Sequence, residues 1–307
     1  MDVVTVGWLT RDDIVATDGR CQMDVPGGGA LYSAIGAQIW TRHVGIHSVT
    51  GRDVLDATLR TLAERGIDTT GVEGIDGNGL QLWLLHESDK DKQQVPKLSS
   101  SKAEDMDRGR GPLPASYAAA RGFHVAPQTP AGSFATAARL HAFARRPVVT
   151  LDLLSDDFID RRLYADLGFL GAVTAFLPSE AEVERIWSPP DLQAWMRETA
   201  TAHGCHLGVK LGDRGSIVCD GQSGAMTRVP AYSARVVDTT GAGDGYCGGF
   251  LAGLVAGRPL VECAAMGTVS ASFIIESCGA LRTATPGPAD CEARLRSVLA
   301  DAYELKS

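Results

Sequence analysis

Residues 236–250 read Val-Val-Asp-Thr-Thr-Gly-Ala-Gly-Asp-Gly-Tyr-Cys-Gly-Gly-Phe. A short β-branched run enters a glycine turn, and a helix is predicted from about Asp244 to Ala256. Glycines let the backbone approach a phosphate closely and turn its N–H groups inward. The start of the helix adds partial positive charge at the same point. Gly241, Ala242 and Gly243 are therefore placed to stabilise negative charge on a transferring phosphoryl group. Asp244, in the first turn, would accept the proton of an attacking hydroxyl within hydrogen-bond reach. A purely structural account also exists: Asp244 as a helix cap and the glycines as sites of close packing. On Gly-Ala-Gly-Asp alone both accounts stand.

The elements that must position this turn alternate. Strands are expected at Asp2 to Gly7, Gly45 to Thr50, Phe123 to Ala126, Val148 to Leu153, Ala172 to Leu177, Leu207 to Leu211 and Ser216 to Cys219. Helices are expected at Gly28 to Trp40, Val54 to Arg65 (ending at Gly66), Ser133 to Ala144 and Asp191 to Thr201. Such alternation predicts an α/β fold: a doubly wound, mainly parallel sheet with helices on both faces. Ligands would bind beyond the carboxyl ends of its strands. Two segments break the pattern. Ile14 to Val25 carries the turn signal Asp18-Gly19, and Leu80 to His86 alternates before the polar run Glu87 to Lys92. Both read as antiparallel strands of a small β lid. Ser99 to Gly111, with Arg108 and Arg110, reads as a polar loop. The expected division is an α/β domain from 1–10, 26–78 and 112–307, and a lid from 11–25 and 79–111.

The string Asp238-Thr239-Thr240-Gly241-Ala242-Gly243-Asp244 resembles the C-terminal signature of the PfkB (ribokinase-like) carbohydrate kinase family. The likeness extends, in the family's order, over residues 7 to 280. Pro26-Gly27-Gly28-Gly29-Ala30-Leu31-Tyr32-Ser33-Ala34 resembles the diglycine segment that opens a helix beside the sugar site. Gly7 to Asp12 resembles the first strand and its substrate-binding aspartate, and Val209-Lys210-Leu211-Gly212-Asp213-Arg214-Gly215 resembles the nucleotide-side turn. The resemblance implies an ATP-dependent kinase acting on a hydroxymethyl group of a sugar or polyol. It implies Asp244 as base, Gly241 to Gly243 as anion hole, and Asp12, Gly28, Gly29 and Tyr32 as acceptor-binding residues. Lys210, Leu211, Gly212, Gly215 and Thr240 would line the nucleotide site. In many family members the lid closes over the sugar, and dimers form through it.

Two positions depart from the family. Tyr32 stands where an asparagine is usual, which opens the question of the acceptor. Ser179 replaces the asparagine of an N-x-x-E motif whose acidic position, Glu182, is kept. That motif helps hold Mg²⁺ through water; Ser179 and Glu182 also have the spacing of a helix capping box. Asp238 and Thr240, with carbonyls near Gly279, resemble a monovalent-cation site suited to K⁺. A nucleoside acceptor is the alternative within kinases, with Tyr32 and Trp83 as aromatic surface for a base. A non-catalytic sugar- or nucleotide-binding regulator is the alternative outside them.

Other signals are weaker. Gly243-x-Gly245-x-x-Gly248 matches a dinucleotide fingerprint, but its acidic partner, Glu262, falls in an apparent helix, so these glycines are expected to let the helix pack close to the sheet. His203-Gly-Cys205-His206 has no second ligand cluster for zinc. His124 reads as a core histidine. The formal charge of -8 argues against a nucleic-acid partner. No apolar stretch spans a bilayer and no signal peptide is visible. Seven scattered cysteines suit a reducing cytoplasm.

Overall fold

The computed structural model describes residues 1–87, 92–154 and 160–305. In chain order its first elements are β1 (Val3–Val6), β2 (Thr10–Val15), β3 (Cys21–Gly27), α1 (Gly29–Gln38), β4 (Val44–Gly51), α2 (Leu55–Glu64), β5 (Asp68–Ile75), β6 (Leu80–His86), β7 (Lys92–Pro96) and α3 (Ala103–Gly109). Next come β8 (Gly122–Val125), α4 (Pro130–His141), β9 (Val148–Leu151), β10 (Ala175–Phe176), α5 (Glu180–Ile186) and α6 (Leu192–His203). The chain continues with β11 (His206–Lys210), β12 (Ser216–Cys219), β13 (Met226–Val229), α7 (Ala242–Val255), α8 (Leu260–Ile274), α9 (Pro288–Ala300) and β14 (Tyr303–Leu305).

The large sheet runs β14-β13-β12-β11-β10-β9-β8-β1-β4-β5. From β11 to β5 neighbouring strands are parallel, and β12, β13 and β14 are added antiparallel. Parallel strands covered on both faces bury both sets of side chains. Val4 and Val6 of β1 join a core with α4 and α6, while Val3, on the opposite face, joins a core with α1 and α7. This is the doubly wound α/β fold expected from the alternation. A separate four-stranded sheet has the order β3-β2-β6-β7.

Several details correct the sequence reading. In the small sheet β2–β3 and β6–β7 are antiparallel, but the two central strands, β2 and β6, run parallel. The chain passes through β4, α2 and β5 between them and returns in the same direction. The polar run expected after β6 lies, at 88–91, outside the described residues. The apolar stretch from Ala172 is not one strand: a 3-10 helix over Leu167–Ala172, capped by Asp166 on Gly168 N at 2.8 Å, precedes the two-residue β10. A short apolar run carries no periodicity to separate the two.

The expected loop at 99–111 contains α3. Glu104 and Asp105 sit in its first turn, favourable at a helix start, and Met106 anchors it with no exposure. The helix lies against β4 and β5. Arg108 pairs with Asp105 at the surface, whereas Arg110 turns inward and bonds Gln128 Oε1 (2.5 Å) and Thr136 Oγ1 (3.1 Å). Leu80 and Leu84 of β6 are buried, against Trp8, Val49 and Met106 and against Ile14 and Cys278. Among the described residues no helix is long and apolar enough to cross a membrane.

Helices α1 and α7 are buried nearly throughout and cross at glycines. A methyl group on Gly36 would overlap the Gly245 carbonyl, and one on Gly248 would overlap the Ser33 carbonyl. Gly245 itself faces Ile274 of α8. Two of the fingerprint-like glycines, Gly245 and Gly248, thus serve close packing against α8 and α1 rather than against the sheet, and Glu262 lies in α8. Gly248→Ala is expected to destabilise the fold by at least about 1–3 kcal/mol, the cost of overpacking a close interface. A denaturant titration with an unchanged slope measures it.

Candidate active site

The turn before α7 is built as its sequence demands. Gly241, at φ 75°, is the N-cap of the helix, so Asp244 is a first-turn residue and not the cap. Only glycine suits Gly241 twice over: the left-handed backbone, and the Tyr32 ring, which occupies the space a side chain would need. Ala242 N–H turns back to Thr239 C=O at 3.2 Å. Among the described residues the Gly241 and Gly243 N–H groups have no protein acceptor, as expected of donors at a helix start. Of the three amides of the string, Ala242 N–H is thus engaged within the turn, while those of Gly241 and Gly243 are not.

The diglycine segment meets this turn directly. A methyl on Gly29 would stand 2.8 Å from Asp244 Oδ1 and 2.8 Å from Pro127 Cδ. Gly28, at φ 101°, abuts the Trp8 carbonyl and Thr10 N, and Gly27 abuts the Asp12 carboxylate. Asp12 (4% exposed) sits on β2, in the small sheet. Asp12, Gly28, Gly29 and Asp244 thus share one corner, where β3 ends and α1 and α7 begin. Tyr32 is buried between them with no hydrogen-bond partner for its hydroxyl. Burial first, then the neighbouring charges of Asp238 and Asp12, push its phenol far upward, so it stays neutral.

On the other side of Gly243, the Lys210 ammonium lies 3.4 Å from where a methyl would be. Lys210 pairs with Asp152 and lies 3.6 Å from Cys247 Sγ. Burial, the largest single effect, pushes this amine toward neutrality; the neighbouring negative charges, Asp152 foremost, together with the hydrogen bond to Asp152, outweigh it and hold the lysine protonated. Ser179 caps α5 in a complete capping box: Glu182 N–H donates to Ser179 Oγ (3.2 Å), and Ser179 N–H donates to Glu182 Oε2 (2.6 Å). Lys210 N–H donates to the Pro178 carbonyl (2.9 Å), which joins this cap to β11. Burial, and next the Asp152 carboxylate, push Glu182 above the usual carboxylate range. Leu211 and Gly215 close the turn into β12, Leu211 N to Gly215 O at 2.7 Å, with Gly212 at φ 62° open to space.

Asp238 and Thr240 form a third group. Asp238 Oδ1 accepts Thr240 N–H (2.8 Å), and Cys278 Sγ lies 3.1 Å from Oδ2. His86 Nε2, at the end of β6, lies 3.1 Å from Thr240 Oγ1 and 3.8 Å from Asp238 Oδ1. The sequence pattern did not single out Asp152, His86, Cys278 or Asp107. Asp107 accepts Trp8 Nε1–H at 2.7 Å and holds the strand end beside Gly28. Asp152 had a usable signal, since it directly follows a strand at its carboxyl end, where ligands bind. The signals set aside stay set aside. His206 Nδ1 accepts Gly221 N–H, and His124, driven down to about 3 by burial and then by Lys210, is a neutral core group bonded to Thr150.

The sequence model of the family described as pfkB family carbohydrate kinase matches residues 9–286. The chain belongs to that family. PfkB-family kinases are phosphotransferases with an alcohol group as acceptor, and the corner joining Asp244 to the diglycine segment lies within the matched residues. A cytidine kinase of Thermococcus kodakarensis is 29% identical over 288 residues, covering 91% of this chain and 98% of that one. A Burkholderia thailandensis nucleoside kinase in complex with ADP-inosine superposes with a TM-score of 0.79 at 16% identity, covering 99% and 98%. An E. coli protein described as a ribokinase II, in complex with ATP and Mg²⁺, superposes with a TM-score of 0.72 at 16% identity, covering 96% and 99%. These structural likenesses establish the ribokinase-like fold.

Proposed function

We propose that this pfkB-family kinase transfers the γ-phosphate of ATP to the hydroxymethyl group of a nucleoside. The observation that carries the transfer is the Asp244 carboxylate, held beside Gly29 at the start of a helix whose Gly241 and Gly243 amides have no protein acceptor among the described residues. The acceptor, bound through Asp12 and the Gly28–Gly29 corner, gives its hydroxyl proton to Asp244. Its oxygen forms the bond to the γ-phosphorus as the bond to ADP breaks. The Gly241 and Gly243 N–H groups and the Lys210 ammonium stabilise the charge in flight. Leu211, Gly212, Gly215 and Thr240 flank the nucleotide. Closure of the small sheet as a lid excludes water.

Mg²⁺ fits this donor set. Among the described residues no cluster of three or more ligating side chains exists, and Mg²⁺ in kinases keeps its waters and takes one or two carboxylates plus substrate phosphates. Glu182's raised proton affinity marks a pocket short of positive charge, which a hydrated divalent ion would relieve. Ser179 and Glu182 would hold it through water, and the ion would help neutralise the phosphates. Seven free thiols support a cytoplasmic setting. A homodimer through the small sheet would use its Trp83 and Leu85 face, because Leu80 and Leu84 are covered by the chain itself.

The cytidine kinase relative, matched over nearly its full length, supports the nucleoside acceptor. A free sugar or polyol is the second reading, and the aromatic side chains favour it. Lys97 Nζ lies 5.0 Å from the centre of the Trp83 ring, and Tyr32 is packed under Gly241, so neither offers a bare face to a base. An ATP-consumption assay with Mg²⁺ and cytidine, adenosine, inosine, ribose, fructose or 2-keto-3-deoxygluconate separates the two. Nucleosides are expected to exceed free sugars in kcat/KM by at least about tenfold, a difference of about 1.4 kcal/mol in transition-state binding. The reverse order selects the sugar reading. Tight binding without transfer to any acceptor would leave only the non-catalytic regulator.

A further inference from the structure

His86 ends β6 in the small sheet, yet its imidazole reaches the turn that opens α7, 154 positions away in sequence. The contact is nearly dry: the side chains of His86 and Asp238 are 10% and 8% exposed. Nε2 faces two oxygens, Thr240 Oγ1 at 3.1 Å and Asp238 Oδ1 at 3.8 Å. A carboxylate can only accept, so a proton on Nε2 is the arrangement that donates to Thr240 Oγ1 and turns a positive edge toward Asp238. Asp238 has little capacity left for a cation. Its Oδ1 also takes Thr240 N–H, and its Oδ2 faces the Cys278 thiol. The buried Tyr32 ring closes the space on the other side of Gly241. These residues do not fit the monovalent-cation site that the sequence resembles.

We propose that His86 is a positioning residue: it bridges the small sheet to Thr240 and Asp238, fixes the anion-binding turn, and occupies the place at Asp238 that K⁺ would take. The reading rests on the kinase assignment above. Two consequences follow. Turnover does not depend on K⁺, and His86 gives the small sheet a polar link to the Gly241–Gly243 turn, beside the apolar contact of Ile14 and Leu84 with Cys278.

The test compares wild type, His86→Ala and His86→Gln, the last keeping an N–H donor of similar reach. Steady-state kinetics are run in potassium and in tetramethylammonium chloride. Amide hydrogen exchange of residues 238–245, ATP binding by calorimetry and thermal unfolding are measured on the same proteins. Wild-type turnover is expected to be equal in the two salts. In His86→Ala, kcat is expected to fall roughly threefold to tenfold, the scale of one buried hydrogen bond, with faster exchange in the turn and the unfolding temperature held. His86→Gln is expected to recover most of both. Potassium activation of the wild type, unchanged exchange in His86→Ala, or equal losses in the two variants overturns the proposal. Wild type that binds no ATP overturns the kinase assignment instead, and the exchange data still decide whether His86 holds the turn.

Discussion

Asp244→Ala is expected to lower turnover by at least about two orders of magnitude while ATP still binds. That is the lower end of what a positioned general base contributes. The carboxylate stands against Gly29, and the helix cap is Gly241, so removing the side chain leaves the capping residue in place. As a first-turn acid, Asp244 contributes at most about 0.3–1 kcal/mol through the helix dipole. A loss of activity far larger than the loss of stability is therefore the signature of proton transfer. Asp244→Asn, nearly isosteric, is expected to lose activity to a similar extent with the melting temperature held. Near-normal kcat in either variant removes the assignment.

Lys210→Met is expected to lower kcat by about two orders of magnitude, as loss of a donor to the transferring phosphoryl group does. It is also expected to destabilise the fold by about 3–5 kcal/mol, because Asp152 is left buried without its cation and beside Glu182. The two losses separate in a second variant. Lys210→Met combined with Asp152→Leu removes the orphaned charge together with its repulsion of Glu182. Stability is expected to return close to wild type, since a buried pair replaced by apolar side chains is often neutral. Turnover is expected to stay low. Recovery of turnover together with stability would make Lys210 a structural residue alone.

What the sequence made legible was local. The glycine turn, the capping box at Ser179 and Glu182, and the helix stop at Gly66 are each fixed by residues within a few positions of one another, and each appears as read. The alternation of strands and helices likewise announced the doubly wound sheet. What stayed hidden was paired across the chain. Lys210 was visible as part of a nucleotide-side turn, but its partner Asp152 lies 58 residues away, and His86 looked like the polar end of a strand until the fold brought it to Thr240. The parallel run of β2 beside β6 was equally unreadable, because a strand's alternation reports which face it buries and not which way its neighbour runs. Tyr32 was singled out as surface for an acceptor. Its burial under Gly241 follows from the absence of a side chain at Gly241, a relation between two distant segments.

Strand β3 ends at Gly27 and α1 begins at Gly29, so a single residue joins the small sheet to a buried helix. Gly28 is the whole joint, in a backbone conformation closed to other residues by its φ and by the Trp8 carbonyl. A joint that short has no slack. At this end a tilt of the small sheet swings about the residue proposed above to seat the acceptor, while α1 stays clamped to α7 at Gly36 and Gly248. Engagement of the acceptor and movement of the cover are then two views of one mechanical event, and a longer tether at position 28 would uncouple them.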